Sequence, residues 1–368
     1  MRIAFYLNYL WGVGSCPKIA EILANRFKKK GHDVFFIIQR DFIERAEEFP
    51  IIMLRGKNEI TRALELGKVL RELNADICLG FMRPMSVVMG ITKLLYPNHR
   101  TIFIGSIHNN DNYLKYGKGL YIPYRILLKF ILEKLDGIIA VSEGVKEDIE
   151  KTYFIKNKVR VFYNPVDIKS LRKLSMEEIP EEEKRIFEKP VIINLSRFVK
   201  QKGLPHLIRI FKRVREELDV RLVILGDGEL RKEIEKLIKD LGLEDSVFLL
   251  GWKKNPYPYI KRAKVLAMTS LWEGYGLVLN EAMALGIPPI AFNVKGGPSE
   301  ILPGCCPLID YPDEESYAKE LIKILRDEAY YETLKQKALN KVSEFSAERI
   351  ADELLEYFKE MLATRRRD

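Results

Sequence analysis

Residues 269–288 of this 368-residue chain read TSLWEGYGLVLNEAMALGIP. The pattern predicts the end of a buried strand, a turn with two glycines, a short helix, and a stop at the final glycine and proline. The first N–H groups of such a helix, near residues 276–278, lack partners within the helix and can bind an anion. Glu273 in the turn would lie beside whatever carries the anion, and Glu281 in the helix would reach a neighbouring hydroxyl-rich group. The layout therefore predicts a site for an anion with sugar-like attachments, as in a nucleotide-sugar.

On either side of this stretch, short apolar segments alternate with helical patterns. Seven such segments occur between residues 3 and 162, and six more between residues 191 and 309. Short apolar strands separated by helices are typical of parallel sheets covered by helices on both faces. We therefore predict an α/β protein with two doubly wound parallel-sheet domains in tandem. Ligands of such folds bind at the carboxyl ends of the strands, and we expect the cleft between the domains to be the binding place.

The domain boundaries follow from a change in composition. The first domain is predicted to comprise residues 1–167 and the second to comprise residues 191–347. Between them, residues 168–190 are polar and acidic and show no strand pattern. We expect this segment to form the connection together with a surface helix.

The composition limits the class of protein. Hydrophobic residues make up 47% of the chain and charged residues 31%, as in globular proteins. No apolar run approaches the roughly 20 residues of a membrane span, and the first residues predict a β-strand rather than a signal peptide. The four cysteines lack metal-ligand spacing. We therefore expect free thiols, a cytoplasmic location and no metal site.

The net charge of +9 is unevenly distributed. Residues 1–175 hold 29 Lys and Arg against 18 Asp and Glu, an excess of 11 positive charges, whereas residues 176–368 hold 32 against 34. A basic first half suits an anionic partner such as a membrane surface, a lipid phosphate or nucleic acid. Surface lysines that only keep the protein in solution explain the excess equally well. Charge alone therefore leaves both interpretations open.

Two cations follow the first strand of the second domain. Arg197 and Lys202 lie in the loop 196–203, at the strand end where a ligand is expected. Two fixed cations can neutralise a diphosphate without a metal ion. A lysine-rich surface loop is the alternative, and this loop by itself does not decide between the two.

Three further positions are candidate contacts. Gly14 precedes the first helix, where glycine lets backbone N–H groups approach a phosphate or a sugar. Gly251 ends a strand of the second domain, where backbone groups could hydrogen-bond a base, and we expect the following Trp252 to pack. His108 leaves a strand of the first domain beside two asparagines, at the expected edge of the cleft. A plain turn at Gly14 and a structural role for His108 are the alternatives.

Together these loops resemble glycosyltransferase family 4, the group 1 retaining transferases of the GT-B fold. The resemblance covers nearly the whole chain and is strongest from residue 190 to residue 345. The matching stretches are residues 12–14, 141–142, 164–167, 196–203, 226–230, 250–251, 270–288 and 296–301. The resemblance implies two Rossmann-like domains facing each other across a cleft, with the acceptor bound by the first and the nucleotide-sugar by the second. It also implies that a C-terminal helix, within residues 348–368, completes the first domain.

The resemblance also assigns roles to the candidate residues. The implied contacts are Arg197 and Lys202 to the diphosphate, Glu273 to sugar hydroxyls, Glu281 to the ribose, and the backbone of Tyr275, Gly276, Leu277 and Val278 to phosphate and sugar. His108 matches a first-domain histidine near the reacting sugar. The family often has adjacent glycines in its first loop, and Gly-Val-Gly-Ser here leaves the role of Gly14 open.

Residues 113–134 combine tyrosines, cations and apolar residues. The segment contains Tyr113, Lys115, Tyr116, Lys118, Tyr121, Tyr124, Arg125, Lys129 and Lys134, with Leu, Ile and Phe residues between them. Lys and Arg side chains can extend from an apolar surface to water, and Tyr prefers a membrane interface. We expect the Leu and Ile residues to pack in the core. The Tyr and Lys face is expected to rest on an anionic bilayer and to take a lipid-linked or membrane-presented acceptor.

We therefore predict a retaining glycosyltransferase that needs no metal ion or other cofactor. Its expected substrates are a nucleotide-sugar, with UDP as the nucleotide, and a glycan or lipid-linked acceptor in polysaccharide, glycolipid or lipid-linked oligosaccharide synthesis. We expect it at the inner face of the cytoplasmic membrane. Two alternatives remain open: a UDP-N-acetylglucosamine 2-epimerase of the same architecture, and a basic protein that binds nucleic acid or a polyanionic glycan. No nucleic-acid recognition motif accompanies the charge, so no nucleic-acid partner is expected.

Overall fold

The computed structural model describes residues 1–10, 14–40, 48–109 and 121–365, and at residues 121 and 122 it describes the backbone only. The chain forms two compact units. The first comprises Met1–Pro165 together with Ala347–Asp368, and the second comprises Val166–Ser346.

The described part of the first unit is built on seven parallel strands. The strands are β1 (Arg2–Leu7), β2 (Asp33–Ile38), β3 (Ile51–Met53), β4 (Ile77–Phe81), β5 (Ile102–Ile107), β6 (Gly137–Ala140) and β7 (Val159–Val161). Their order in the sheet is β3-β2-β1-β4-β5-β6-β7. Every residue of β4, β5 and β6 is buried, because helices cover both faces of the sheet.

Helices of the first unit follow the strands in alternation. They are α1 (Ser15–Lys29), α2 (Glu59–Glu72), α3 (Arg83–Leu95), α4 (Tyr121–Leu132) and α5 (Glu143–Tyr153). The Asn58 side chain accepts the N–H of Thr61 at 2.9 Å and begins α2 with a capping box. Ser142 caps the start of α5 by accepting the N–H of Val145 at 3.1 Å, and the Val145 side chain has no polar atom for a reciprocal bond.

Residues 168–190, expected to form the connection, belong to the second unit. They fold as α6 (Ile168–Leu174), α7 (Glu181–Lys184) and a 3₁₀ turn at Arg185–Glu188. Arg172 Nε donates to the carbonyl oxygen of Ala284 at 3.1 Å, and Lys253 Nζ donates to Glu183 Oε1 at 2.6 Å. The segment therefore packs on the second unit. Its polar residues are explained by its outer side, which faces water.

The second unit contains a six-stranded parallel sheet. Its strands are β8 (Val191–Leu195), β9 (Arg221–Leu225), β10 (Val247–Gly251), β11 (Val265–Met268), β12 (Pro289–Asn293) and β13 (Leu308–Asp310), in the order β10-β9-β8-β11-β12-β13. The remaining helices of this unit are α8 (Leu204–Glu217), α9 (Arg231–Asp240), α10 (Tyr257–Arg262), α11 (Leu277–Ala284), α12 (Gly297–Ile301), α13 (Glu314–Arg326) and α14 (Glu328–Lys341). Apolar residues of β8, β9, β11, α8 and α13 form its core, with Phe198, Phe211 and Phe292 at most 1% exposed.

A long helix at the end of the chain packs on the first unit. This helix, α15 (Ala347–Arg365), lies against α1, where the rings of Phe27 and Phe358 meet edge to face with centroids 6.0 Å apart. Ion pairs join Arg26 to Glu348 at 3.1 Å and Lys30 to Asp352 at 2.5 Å, and Asp352 lies one turn after Glu348 in α15. The helix thus shares the core of the first unit although it follows the second unit in sequence.

The strand order of the second sheet reverses between β8 and β11, which are hydrogen-bonded neighbours. The loops that follow these two strands therefore leave the sheet side by side at its carboxyl edge. In open α/β sheets, this point of reversal is where ligands bind. It brings residues 196–203 next to residues 269–276, although Lys202 and Glu273 are 71 positions apart in sequence.

Candidate active site

The loops after β8 and β11 are held together by hydrogen bonds. The N–H of Leu271 donates to the carbonyl oxygen of Gln201 at 2.8 Å, and the Gln201 side chain donates to the carbonyl oxygen of Trp272 at 2.9 Å. The Thr269 hydroxyl donates to the carbonyl oxygen of Lys202 at 3.2 Å. These contacts fix the position of Lys202 relative to the turn that carries Glu273.

Lys202 and Glu273 form an ion pair in this site. Lys202 Nζ donates to Glu273 Oε1, and the Ser270 hydroxyl donates to the same oxygen at 2.7 Å. The side chain of Glu273 is 7% exposed and that of Lys202 is 19% exposed. Because both charges are largely withdrawn from water, each depends on its partner for stabilisation.

Arg197 lies on the same loop but in a different environment. Its side chain is exposed, directly after β8, while the neighbouring Phe198 is fully buried and anchors the loop. Within the described part of the chain, the guanidinium makes no hydrogen bond or ion pair. It is therefore placed to bind an anionic ligand without breaking an existing contact.

The turn before α11 contacts a second glycine-rich loop. A Cβ atom on Gly297 would lie 1.4 Å from the carbonyl oxygen of Tyr275, so only glycine permits this approach of the two backbones. Gly276 has φ 82° and ends the turn in a left-handed conformation, which directs the chain into α11. Gly276, Leu277 and Val278 are partly exposed, so the N–H groups at the start of α11 are near the surface.

Tyr275 is buried, in contrast to the next three residues. The Asn280 amide donates to the Tyr275 hydroxyl oxygen at 2.6 Å, and Asn280 Oδ1 has no hydrogen-bond partner among the described residues. The side chain of Tyr275 thus anchors the turn from below. Its backbone, rather than its side chain, is the part of Tyr275 that a ligand could contact, and the predicted backbone role stays a prediction.

Glu281 lies in the second turn of α11 and is buried. The Tyr257 hydroxyl donates to Glu281 Oε1 at 3.1 Å. Burial, and after it the negative charge of Glu281, raise the pKa of Tyr257 well above its usual value. Tyr257 therefore remains a proton donor and holds the carboxylate in a defined orientation.

Gly251 ends β10, and its carbonyl oxygen accepts the N–H of Gly226 at 2.8 Å. It lies at the carboxyl edge of the sheet with φ 70°. The prediction that Trp252 packs was wrong, because its side chain is 57% exposed. The strand has ended there, and the ring lies outside the core.

His108 follows β5 at the carboxyl edge of the first sheet and is buried. Its ring stacks on Phe81 with centroids 6.0 Å apart, and its Nε2 lies 3.0 Å from the hydroxyl oxygen of Ser106. Its Nδ1 has no hydrogen-bond partner in the part of the chain that the structure describes. Burial lowers the pKa of His108 to about 4, so the imidazole is neutral at pH 7.

Gly14 immediately precedes α1, whose first turn contains no acidic residue. The preceding Gly12 lies outside the described residues. Among the residues that are described, no group of three or more His, Cys, Asp or Glu side chains could hold a metal ion. The structure thus brings Lys202, Glu273 and the start of α11 together in the second unit, with Arg197 on the same loop as Lys202, and places Gly14 and His108 in the first.

Comparison with known proteins identifies the family. The sequence profile described as "Glycosyl transferases group 1" matches residues 175–341, and the profile described as "Glycosyltransferase Family 4" matches residues 19–170. The chain belongs to glycosyltransferase family 4. It is therefore an enzyme of the glycosyltransferase class, as the sequence predicted.

Two relatives show the range of similarity within the family. An uncharacterized glycosyltransferase of Methanocaldococcus jannaschii is 35% identical over 266 residues, which are 70% of this chain and 64% of that protein. The aligned part thus spans less than two thirds of that relative. The N-acetylgalactosamine-N,N'-diacetylbacillosaminyl-diphospho-undecaprenol 4-alpha-N-acetylgalactosaminyltransferase of Campylobacter jejuni is 28% identical over 300 residues, which are 80% of this chain and 79% of that protein.

The fold of the family 4 glycosyltransferase is confirmed by solved structures. The crystal structure of Anabaena HepE in complex with UDP superposes with a TM-score of 0.82, at 18% identity, over 98% of this chain and 100% of that chain. This similarity shows the fold alone. The prediction of a GT-B fold with two Rossmann-like parallel-sheet domains is thereby confirmed.

Sequence patterns of this family 4 glycosyltransferase did not reveal how its site residues pair. Both Lys202 and Glu273 were predicted to contact the donor, but nothing in their spacing indicated that they contact each other. The roles of Ser270, Tyr257 and Asn280 were also missed. A buried polar residue beside a predicted carboxylate is the signal that could have identified Ser270, since buried polar groups need partners.

Proposed function

We propose that the protein transfers a sugar from a UDP-sugar to a glycan or lipid-linked acceptor and retains the configuration at the anomeric carbon. The observation that carries the proposal is the juxtaposition of Lys202, Glu273 and the start of α11. A cation and backbone amides suit a diphosphate, and a nearby carboxylate suits the hydroxyls of the attached sugar.

Two similar proteins support the proposed nucleotide and acceptor. Anabaena HepE was crystallised with UDP, and the name of the C. jejuni relative describes a sugar acceptor on diphospho-undecaprenol. By similarity, we propose that the donor of this enzyme carries UDP and that its acceptor is a lipid-linked or free glycan. Glu281, held by Tyr257, is proposed to bind the ribose, and the backbone at Gly251 the base.

Donor binding would rearrange the ion pair. In this proposal Arg197, which is exposed, and Lys202 contact the oxygens of the diphosphate. The Lys202 ammonium then donates hydrogen bonds to both the phosphate and Glu273, while Glu273 also accepts hydrogen bonds from the sugar. The ion pair thus keeps both groups charged and oriented before the donor arrives, which reduces the reorganisation needed during the reaction.

The proposed chemical step requires no carboxylate nucleophile. The bond between the anomeric carbon and the diphosphate oxygen breaks, and its electron pair stays on the departing phosphate. The acceptor oxygen attacks the same face of the sugar, and its proton passes to that phosphate. Negative charge that develops on the diphosphate is stabilised by Arg197, Lys202 and the N–H groups of residues 276–278, so a metal ion is not needed in this scheme. His108, whose imidazole is neutral, is proposed to contact the reacting sugar.

Thermal denaturation with added nucleotides tests the donor assignment. A ligand at 100 times its Kd stabilises the folded protein by about 2.7 kcal/mol. We expect UDP and UDP-sugars to raise the melting temperature of the native protein, GDP and ADP derivatives to raise it less, and the Arg197→Met variant to respond only at higher concentration. If no nucleotide stabilises the native protein, the proposed donor site is wrong.

Product analysis separates transfer from epimerisation. With UDP-N-acetylglucosamine and no acceptor, a 2-epimerase would release the 2-epimer of the sugar, whereas a transferase would leave the donor intact apart from slow hydrolysis. We expect new glycoside and free UDP only when an acceptor is added. Family membership already favours a transferase over a binding protein without activity.

We also propose that the first unit contacts an anionic membrane surface, at the inner face of the cytoplasmic membrane. Its support is the basic balance of the first unit, in which Met1–Pro165 and Ala347–Asp368 hold 31 Lys and Arg against 23 Asp and Glu, an excess of 8 positive charges. Among the described residues, no helix has the length and apolar content to cross a bilayer. Tyr113, Lys115, Tyr116 and Lys118 lie outside the described residues. Arg125 donates to the carbonyl oxygen of Thr152 at 3.1 Å, so at least part of its bonding capacity serves the fold.

A further inference from the structure

One face of α4 is apolar and exposed. Ile126, Leu127 and Phe130 are between 49% and 64% exposed, and their spacing puts them on one side of the helix. The opposite side, with Leu128, Ile131 and Leu132, is buried, and the backbone of Ile131 packs closely on Gly90 of α3. The prediction that the Leu and Ile residues of this segment pack in the core was therefore wrong for Ile126 and Leu127, because the helix has more apolar surface than its neighbours α3 and α5 cover.

Phe154 adds a fourth apolar side chain to this surface. It directly follows α5, is 68% exposed, and has φ 56°. Glycine or asparagine is usual at such a left-handed helix end, and a bulky aromatic residue there is uncommon. Lys129 Nζ lies 5.8 Å from the centroid of the Phe154 ring, which places Phe154 beside α4. Neither burial nor backbone preference within the unit explains a phenylalanine here.

Cations border this apolar surface, which we call the α4 ridge (Ile126, Leu127, Phe130 and Phe154). Lys134 Nζ lies 4.6 Å from the centroid of the Phe130 ring, and Lys129 lies on the side toward Phe154. The only acidic side chain beside this border in the described part of the segment is Glu133, which follows α4 and lies 3.7 Å from Lys129 Nζ, so Lys134 keeps its full charge for an anionic partner while Lys129 shares its own with Glu133. An apolar centre with a basic border fits the acyl chains and anionic headgroups of a bilayer. A second copy of the same ridge would bring like charges together in a symmetric contact, which is unfavourable.

We propose that the α4 ridge inserts into an anionic bilayer at the boundary between headgroups and acyl chains. This inference deepens the membrane contact proposed above: it replaces attraction by charge alone with burial of four named side chains. The basic border sets the preference for anionic lipid, and the apolar side chains supply most of the affinity. The ridge therefore orients the first unit at the surface from which a lipid-linked acceptor would be taken.

A fluorophore on the ridge tests insertion directly. The four native cysteines are all buried, so an Ile126→Cys variant can be labelled selectively with a polarity-sensitive dye. Ile60 is 59% exposed on α2 and provides a matched control position, Ile60→Cys. With vesicles of phosphatidylglycerol and phosphatidylcholine, we expect a blue shift and quenching by lipids brominated on the acyl chain at residue 126, and neither effect at residue 60.

Substitution measures the apolar contribution. Phe154→Asn suits the left-handed backbone and should leave the fold intact. Burial of one such side chain corresponds to at least about a tenfold change in partitioning. We therefore expect Phe154→Asn to weaken vesicle binding about tenfold and Ile126→Ser with Phe154→Asn to weaken it about a hundredfold, while Ile60→Ser leaves binding unchanged.

Three outcomes would overturn the proposal. Co-sedimentation with vesicles without a blue shift at residue 126 would mean attachment by charge only. A blue shift in the absence of vesicles, with a doubled mass in solution, would mean that a second copy covers the ridge. Equal binding by the wild type and both ridge variants would exclude a role for the ridge. Stabilisation by UDP, measured in parallel without lipid, reports on the donor site independently of each of these results.

Discussion

Replacement of Lys202 by methionine tests the ion pair that organises the proposed donor site. Lys202→Met keeps the length and apolar stem of the side chain but removes the cation that contacts Glu273. The Glu273 side chain is 7% exposed and that of Lys202 is 19% exposed, so the carboxylate would lose its countercharge in a position nearly closed to water. Loss of one partner from a buried pair costs about 3–5 kcal/mol. Because the lysine end reaches water, we expect a loss of about 2–3 kcal/mol.

The measurement is a double-mutant cycle on the free energy of unfolding. For a unit of this size, the expected loss lowers the melting temperature by roughly 4–12 °C. Glu273→Gln should destabilise the second unit less, because the Lys202 side chain is more accessible to water than that of Glu273 and its ammonium can be partly hydrated. The double variant carries neither charge, so we expect its destabilisation to be at least about 1 kcal/mol smaller than the sum of the two single effects.

Arg197→Met is the matched control within the same loop. Arg197 is exposed and makes no side-chain hydrogen bond or ion pair among the described residues, so its replacement should change the unfolding free energy by less than about 0.5 kcal/mol. Arg197→Met and Lys202→Met should nevertheless each reduce turnover by about two orders of magnitude or more. Additive single effects, or a Lys202→Met variant as stable as the wild type, would show that the pair contributes nothing in solution and would refute this reasoning.

Three further predictions concern other positions. Gly297→Ala would place a Cβ atom 1.4 Å from the carbonyl oxygen of Tyr275 and should destabilise the protein by at least about 3 kcal/mol in urea unfolding, whereas Gly304→Ala, with no atom within 4 Å, should cost only about 1 kcal/mol of backbone strain. His108 has a pKa of about 4 in the folded protein against about 6.5 when unfolded, so the unfolded chain binds more protons between these values. The unfolding free energy should therefore fall by up to about 3 kcal/mol as pH decreases from 6.5 to 4, and His108→Gln should remove that part of the slope; an unchanged slope would contradict burial of a neutral imidazole. Tyr275→Phe should lower the unfolding free energy by about 1–3 kcal/mol because it removes the partner of the Asn280 amide. Tyr275→Phe combined with Asn280→Leu should recover stability in the same urea assay, and no recovery would show that the contact is absent in solution.

Local sequence patterns were sufficient for the architecture. Seven and six apolar segments predicted seven and six parallel strands, because strands covered on both faces must be apolar along their whole length. The candidate loops were also found at the carboxyl ends of β8 and β11, since glycines and charged residues interrupt the pattern there. These features depend on neighbouring residues only, and a sequence displays them directly.

Pairings between distant residues could not be read in this way. The ion pair of Lys202 with Glu273 exists because β8 and β11 are adjacent in the sheet, and their adjacency depends on the strand order of the whole domain. The same limit explains why the sequence predicted a connection and a surface helix over residues 168–190 but did not indicate which unit they pack on.

The sequence by itself determined the family and the two α/β domains and indicated candidate residues for the proposed donor site, because periodicity and short motifs are local properties. Only the tertiary structure decided which charges neutralise each other and which apolar residues stay in water. Ile126 and Ile131 have the same side chain on the same helix, yet one is exposed and the other is buried. The difference arises because the neighbouring helices α3 and α5 cover one side of α4, and the area they cover is set by the fold rather than by the residue type.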